Sequence, residues 1–328
     1  MPSLGEFDRI ARIFRPLTVG CPAALDLTDD AAVLTPPPGR DLVITTDAMV
    51  GGVHFLPEDS PADVAAKLLR VNLSDLAAMG AEPLGYTLVT ALPRTLGEVW
   101  LEAFAEGLLH DQRRYGIALL GGDSVSTSGP ITLSVTALGS VVSGRALTRR
   151  SRDPSAALFV TGTIGDAALG LAIALERLDD VTDSARGVLL GRLRRPEPRL
   201  TVAAGLYELA LAAIDVSDGL VADLGHLCRV SGCAAVIEAA RVPLSASARE
   251  ILDGQPELLT AMITGGDDYE LLFAAPASHR SALAALARAV GVPITEIGRL
   301  LPGPPGQVTV TGADGVPLRL ARQGWTHF

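Results

Sequence analysis

The run DLVITTD at residues 41–47 is followed by PADVAAKLLRVNLSDLAAM at 61–79 and then by YTLVTA at 86–91. The first and third runs are short and rich in Val, Ile and Thr, which suits strands. The middle run spaces its apolar residues as a helix does. Ser60 precedes it as an N-cap, Pro61 takes the first helical position, and Asp63 stands in the capping-box place of Glu. Gly80 stops it. Strand, helix and strand in succession predict an α/β or α+β fold.

The same alternation extends outward. Strand-like runs stand at 118–120, 131–139, 157–161 and in part of 262–273; helical periodicity fills 96–115, 167–178, 198–213 and 278–290. A polar Arg/Ser/Asp/Pro stretch at 145–154 separates two halves, so domains at 1–147 and 148–328 are expected. GGD occurs in each half, at 121–123 and 265–267, which suggests a similar local device in both.

With 328 residues, 48% of them apolar, the chain is long enough for two domains or one large α/β unit. No stretch reaches the ~20 uninterrupted apolar residues of a membrane span. The first ten residues carry Glu6, Asp8 and Arg9 and lack an apolar h-region, so a cytoplasmic protein is expected. A net charge of −10 argues against a nucleic-acid partner. Cys21, Cys228 and Cys233 form no metal spacing and read as free thiols. Lys67 is the one lysine, and no GxxxxGK[ST] loop surrounds it. Any phosphate chemistry must use other groups.

Aspartates supply the alternative. Asp47 ends a strand run, Asp123 follows Gly121–Gly122, and Asp215 and Asp218 lie in IDVSDGL, read as directly following the apolar end of a helix. Asp267 and Asp268 follow Gly265–Gly266, and Asp29 and Asp30 form a further pair. Ligands of open α/β sheets bind at strand ends, and glycine beside an acid lets backbone approach a phosphate or metal. Mg²⁺ takes oxygen ligands and bridges carboxylates to substrate phosphates. Aspartate also serves turns and caps, and that reading weighs about equally for any single one of these residues. Asp75 differs, because it shares a helical face with Leu68, Val71 and Met79. A carboxylate there needs a partner, and a metal is favoured over an arginine. His54 stands in GGVHF, seven residues after Asp47.

These residues resemble one known family. TTDAMVGGVHF (45–55), VNLSDLAAMGAEP (71–83), GGD (121–123), TGTIGDAALGL (161–171), DVSDGLVADL (215–224), GGDDYELLF (265–273) and GWTHF (324–328), with the opening LGEFDRI (4–10), are similar to the thiamine-monophosphate kinase family. The match runs essentially from end to end. It implies a two-domain PurM-like ATP-binding fold, shared with aminoimidazole-ribotide and selenophosphate synthetases. It also implies a homodimer whose N-terminal domains join their sheets. The implied reaction passes phosphate from ATP directly to thiamine monophosphate, giving thiamine diphosphate.

Carried over residue by residue, the resemblance implies magnesium ligands at Asp30, Thr45, Thr46, Asp47, Asp75, Asp123, Asp215 and Asp218, with Asp75, Asp123 and Asp218 as catalytic residues. It implies nucleotide contacts at Gly122, Asp123, Arg149 and Ser217, and substrate contacts at His54, Asp267 and Trp325. The chain departs from the family in having Thr28 where glycine is usual before the Asp29–Asp30 pair, and Gly51 in place of a glutamate. Arg145, Arg150 and Arg152 crowd around Arg149. A selenophosphate synthetase would pair an early cysteine with a lysine, and Cys21 has none near it. A non-catalytic nucleotide or cation binder would keep the same carboxylates, so ATP turnover separates it from a kinase.

Overall fold

Strand β1 (Arg40–Val50) alternates strictly. Val43, Thr45, Asp47 and Met49 point inward, while Leu42, Ile44, Thr46 and Ala48 point out. This alternation is what a half-buried strand requires. The structure is a computed structural model that describes residues 6–325. Residues 4–5 of the opening motif and 326–328 of the terminal one lie outside it. The described chain forms two compact units, one reaching Leu76 and resuming at Ala81–Gly144, the other comprising Ala77–Gly80 and the residues from Arg145 onward.

After a single turn of helix, α1 (Glu6–Arg9), and short helical turns to Leu27, the first unit builds a four-stranded sheet. β1, β2 (Glu82–Pro93), β3 (Leu119–Thr127) and β4 (Thr132–Val142) lie in the order β1-β4-β2-β3. β4 runs antiparallel to β1 and β2, and β3 runs parallel to β2. Helices α2 (Pro61–Ala78) and α3 (Glu98–Tyr115) attach to the inner face. Thr45 of β1 donates to Asp75 of α2, and Gln112 of α3 donates to the Tyr86 hydroxyl of β2. Capping of α2 follows expectation: the Ser60 hydroxyl accepts the Asp63 N–H at 3.1 Å and donates to its carboxylate at 2.9 Å. α2 and α3 meet through a buried bidentate pair, in which Arg70 donates to Asp111 at 2.6 and 2.8 Å.

One expectation fails here. GGD at 121–123 does not follow a strand that ends at 120; β3 runs through it to Thr127. Two glycines read as a terminator, yet the ladder with β2 continues from Thr87 to Pro93. Gly122 fits because a Cβ there would stand 1.9 Å from the Leu88 carbonyl oxygen. β1 likewise runs past Asp47 to Val50.

The second unit holds six strands in the order β10-β7-β9-β5-β8-β6. They are β5 (Ala157–Thr161), β6 (Ala212–Asp215), β7 (Ala234–Glu238), β8 (Leu271–Ala275), β9 (Ile294–Leu301) and β10 (Val308–Thr311). One face of β5, β6 and β8 packs Val160, Ile214 and Leu272 with Leu220, Leu224 and Leu227 of α7 (Leu220–Ser231). The opposite face packs Phe159, Ala213 and Phe273 with Val202 and Leu206 of α6 (Leu200–Leu206) and Leu283 of α10 (Arg280–Val290). A third cluster joins α4 (Asp166–Ala174), α5 (Asp183–Arg194) and α8 (Ala246–Gly254).

Two readings change in this unit. The helix expected over 198–213 ends at Leu206, and Ala212–Asp215 is the strand β6. The part-strand at 262–273 begins inside helix α9 (Leu258–Thr264), and only β8 is extended. Both are short apolar runs, in which periodicity cannot separate helix from strand. No helix among the described residues is long and apolar enough to cross a membrane.

Removing Asp111 would leave the Arg70 guanidinium buried without its carboxylate. Asp111→Ala should therefore cost about 3–5 kcal/mol of stability, read as a shifted denaturant midpoint at unchanged m-value. A loss under about 1 kcal/mol would mean that the pair behaves as a surface bridge.

Candidate active site

In the first unit, three of the expected residues converge. Asp75 sits on the last turns of α2 and its carboxylate accepts the Thr45 hydroxyl at 2.5 Å. Asp47 lies on the same inward face of β1, and its backbone N–H is held by the Asn72 side chain at 3.1 Å. Burial, with the Asp75 charge adding to it, raises the Asp47 carboxyl to about 6. Asp75 is half-buried, not buried as its stripe suggested, because α2 opens toward β1 near its C-terminus.

The other expected residues of this unit lie elsewhere. Thr46 faces outward and shares a 2.8 Å hydrogen bond with Thr136. Gly122 and Asp123 are on β3 at the far edge of the sheet, and the Asp123 carboxylate accepts the Ser124 N–H at 2.8 Å. Val135 pairs with both Asp47 and Leu88, and Leu88 pairs with Gly122. Gly122 thus stands level with Asp47 but three strand spacings away, roughly 14 Å, and Asp123, paired with Val89, lies one residue further along β3. Asp30 is exposed in a bend. The turn before it takes left-handed backbone at Leu25, Asp26 and Leu27, whereas Thr28 has φ −106. No glycine is needed at 28, so Thr28 is accommodated.

His54 sits in the turn after β1, where Nδ1 accepts the Val50 N–H at 3.0 Å. That leaves the proton of the neutral ring on Nε2. Lys67 is buried and donates to the His54 carbonyl at 3.0 Å, a structural role.

The second unit gathers its expected residues tightly. β6 ends at Asp215, and the chain turns through Val216, Ser217, Asp218 and Gly219 into α7. The loop 265–269 lies against this turn: Asp267 N–H donates to the Ser217 carbonyl and Tyr269 N–H to the Val216 carbonyl, each at 2.8 Å. A Cβ on Gly266 would stand 2.1 Å from the Ser217 oxygen. The middle glycine of both GGD sequences thus admits a neighbouring carbonyl, the shared device that the repeat suggested. Asp267 and Tyr269 both hold positive φ, at 71 and 51 degrees. Such backbone persists where its surroundings impose it, as at functional sites. The tail closes the group, since Trp325 N–H donates to the Asp218 carbonyl at 3.0 Å while the residue stays 48% exposed.

Among the crowded arginines, Arg145 lies 4.3 Å over the Tyr207 ring and Arg150 donates to the Val230 carbonyl at 3.1 Å. Arg149 is exposed; burial first, then the charges of Arg229 and Arg149, lower the pKa of His226 on α7.

Asp223 is a residue the motif contained but no role was read for. It is buried in the first turn of α7 and accepts the N–H groups of Asp218 and Gly219 at 3.0 and 3.1 Å. Burial first, then Asp215 and Asp218, push its carboxyl well above the usual range. The signal was its place one turn inside a helix that follows an acidic loop. Asp268 is similar: it is buried, its oxygens accept N–H groups of Gly165 and Ala167 at the start of α4, and burial raises it. Among the described residues no three His, Cys, Asp or Glu side chains are placed to hold an ion by themselves. An ion that keeps waters and takes oxygens from a phosphate needs fewer.

The raised Asp47 gives a pH prediction. The folded chain binds this proton more tightly than the unfolded chain, whose carboxyl has the ordinary value of 3.8. Stability in chelator should therefore fall as pH rises from about 4 to about 6. Asp47→Asn should flatten that slope, keep the melting temperature at pH 7 at or above that of the parent, and weaken stabilisation by Mg²⁺. Melting curves from pH 4 to 7, with chelator and with Mg²⁺, decide it; an unaltered slope refutes the assignment.

Known proteins are similar to this chain along nearly its whole length. The family descriptions "AIR synthase related protein, N-terminal domain" and "AIR synthase related protein, C-terminal domain" match residues 28–141 and 153–311. A thiamine-monophosphate kinase of Caulobacter vibrioides is 48% identical over 325 residues, 98% of this chain and 90% of the relative. The crystal structure of thiamine-monophosphate kinase from Stenotrophomonas maltophilia K279a is 42% identical with a TM-score of 0.85, covering 96% of this chain and 98% of its own. The structure of AaThiL complexed with AMPPCP and TMP is 29% identical with a TM-score of 0.78, covering 100% and 98%. The two-domain PurM-like fold is therefore the one expected, and the chain belongs to the thiamine-monophosphate kinase family.

Proposed function

We propose that this protein is a kinase that passes the terminal phosphoryl group of ATP to thiamine monophosphate, forming thiamine diphosphate and ADP. The observation that carries the reading is full-length likeness to enzymes of that name, one of them solved with AMPPCP and TMP. AMPPCP mimics ATP, and we read TMP as thiamine monophosphate. Phosphoryl transfer of this kind needs positioning and charge neutralisation more than covalent help from the protein. The buried thiols of Cys228 and Cys233 are pushed up, Cys228 to about 12, and are poor nucleophiles.

The residues divide by unit. In the first, Asp30, Thr45, Thr46, Asp47, Asp75 and Asp123 would hold magnesium, and Gly122 and Asp123 would meet the nucleotide. In the second, Asp215 and Asp218 are the magnesium carboxylates, and Ser217 and Arg149 the nucleotide contacts. The donors are all oxygens, which fits the ion. Magnesium, when bound, would bridge phosphate oxygens and neutralise their charge. Asp75, Asp123 and Asp218 act as its catalytic holders, while Asp223 keeps the Asp218 loop in place through two amide bonds. His54, Asp267 and Trp325 orient thiamine monophosphate. We place the domain boundary at 147/148 and the protein in the cytoplasm.

A homodimer fits the first unit. Its outer sheet face exposes Ile44 at 63% and Val89 at 43%, with Leu42 and Val125. Such a face favours a partner. Two edge strands, β1 and β3, are open to pair. One ion shared by Asp47 and Asp123 would need those residues from two copies, since Mg–O distances are about 2.1 Å.

Incubation of the purified protein with ATP, Mg²⁺ and thiamine monophosphate should yield thiamine diphosphate and ADP in equal amounts, and excess chelator should stop it. ATP binding without turnover would instead support a non-catalytic nucleotide binder.

Trp325 offers a sharper test. Thiamine carries a cationic thiazolium ring, and an indole face attracts a cation by ~0.5–2 kcal/mol. Trp325→Ala should raise KM for thiamine monophosphate by roughly two- to thirtyfold and leave KM for ATP nearly unchanged. Equal weakening of both, with a lower melting temperature, would make the indole a mere tail anchor.

A further inference from the structure

In the second unit the loop 265–269 runs directly into Glu270, a fully buried residue just ahead of β8. Arg192 and Arg199 each reach its Oε1 through Nη2, at 2.7 and 2.5 Å. Arg199 Nε and the Thr161 hydroxyl reach Oε2 at 2.6 and 2.7 Å. Two donors on each oxygen fill the acceptor capacity of a carboxylate. The paired fork of Arg199 fixes direction as well as distance. The backbone makes room for the group at Gly162, which holds φ at +56 degrees and where a Cβ would stand 2.1 Å from Oε1.

Stability alone is a poor account of such a cluster. Buried ion pairs gain little over apolar packing of the same volume, and their better use is to fix geometry. The geometry at stake here is that of the candidate site. The Glu270 carbonyl accepts the Val216 N–H at 2.8 Å, beside the bond from Tyr269 N–H to the Val216 carbonyl. Glu270 is thus tied by its side chain to Arg192 and Arg199, and by its backbone to the turn that carries Ser217 and Asp218. Burial alternates along the loop: Asp268 and Glu270 are buried, while Asp267 and Tyr269 are partly exposed. The two buried acids are anchors, Asp268 on the start of α4 and Glu270 on the arginines. The two displayed residues are those with positive φ. Backbone of that kind persists only where its surroundings over-determine it.

We propose that Glu270, gripped by Arg199 and Arg192, is a positioning residue that holds Asp267 where thiamine monophosphate meets it. The proposal rests on the kinase reading above and on Asp267 as a substrate contact. Glu270 is buried, so it acts through the loop and not on the substrate. The Ser217 turn keeps a hold of its own through Asp223, which accepts the N–H groups of Asp218 and Gly219. Loosening the Glu270 grip therefore falls on the thiamine monophosphate side of the site more than on the nucleotide side.

Steady-state kinetics of the full-length protein, with a melting temperature for every variant, test the proposal. Thiamine diphosphate formation by the parent is measured first, and its absence refutes the kinase reading and the proposal with it. Arg199→Lys keeps the charge and loses the fork. It should lower kcat/KM for thiamine monophosphate by about tenfold to a hundredfold, the scale of a misplacement of about 1 Å. KM for ATP should change by less than about twofold. Asp267→Ala should itself lower kcat/KM for thiamine monophosphate, and Arg199→Lys added to it should cost less than about twofold more. A merely structural cluster would instead multiply its effect with that of Asp267. If Arg199→Lys does not fold, Arg192→Gln, at a partly exposed position, decides by the same readouts with a several-fold loss expected. A lower melting temperature at unchanged kcat/KM, equal weakening of both substrates, or multiplying effects in the double variant would each overturn the proposal and leave the kinase reading standing. Asp267→Ala without effect would remove the contact that Glu270 is said to hold, and the proposal with it.

Discussion

Carboxylates held near one another repel, and this fold places several of them on fixed backbone. Asp47 and Asp75 face each other across β1 and α2, and burial with mutual charge holds the Asp47 proton to about pH 6. Asp215, Asp218 and Asp223 crowd one turn, and Asp223 is raised for the same causes. Amides and hydroxyls restrain these groups: Asn72 on the Asp47 backbone, Thr45 on Asp75, and the two N–H groups on Asp223. The cost must be met elsewhere, and the two faces of the second sheet supply apolar packing to meet it. A site that is electrostatically unfavourable when empty is well prepared for cations and the phosphates they accompany.

Close backbone approach is the second constraint. Gly122 admits the Leu88 carbonyl and Gly266 admits the Ser217 carbonyl, each at a distance no Cβ tolerates. In the first unit this keeps two parallel strands in register through an acidic residue. In the second it locks two loops together, so that Asp218, Asp267 and Trp325 come from distant parts of the chain to one small region. The same tripeptide therefore serves a strand in one half and a loop in the other. What is common is the missing side chain, not the secondary structure.

Sheet order divides the labour within the first unit. The inner face carries helices and the Asp47–Asp75 pair, while the outer face exposes Leu42, Ile44 and Val89 beside the Thr46–Thr136 pair. Asp123 belongs to the opposite edge from Asp47, so side chains that sequence motifs present as one set are dealt to two places. Each place is well formed in itself. Their separation follows from β4 and β2 standing between β1 and β3.

Much of this was legible in the residues. The capped helix at 61–79, the strands at 41–47 and 157–161, and the motifs that imply the family are local patterns, and local sterics and capping enforce them wherever the chain goes. The same holds for the absence of a lysine phosphate loop and for the acidic character of the candidate sites. Tertiary structure decided the rest. Ala212–Asp215 became a strand because β8 offered it a ladder, and 262–264 became the end of a helix although the run from 262 reads in part as a strand. GGD at 121–123 became strand interior because β2 paired through it. Asp75 found a hydroxyl because α2 meets β1 at its end. Asp223 and Asn72 could be recognised only once their neighbours were in place. A side chain's partners are set by long-range packing, which no window of sequence contains.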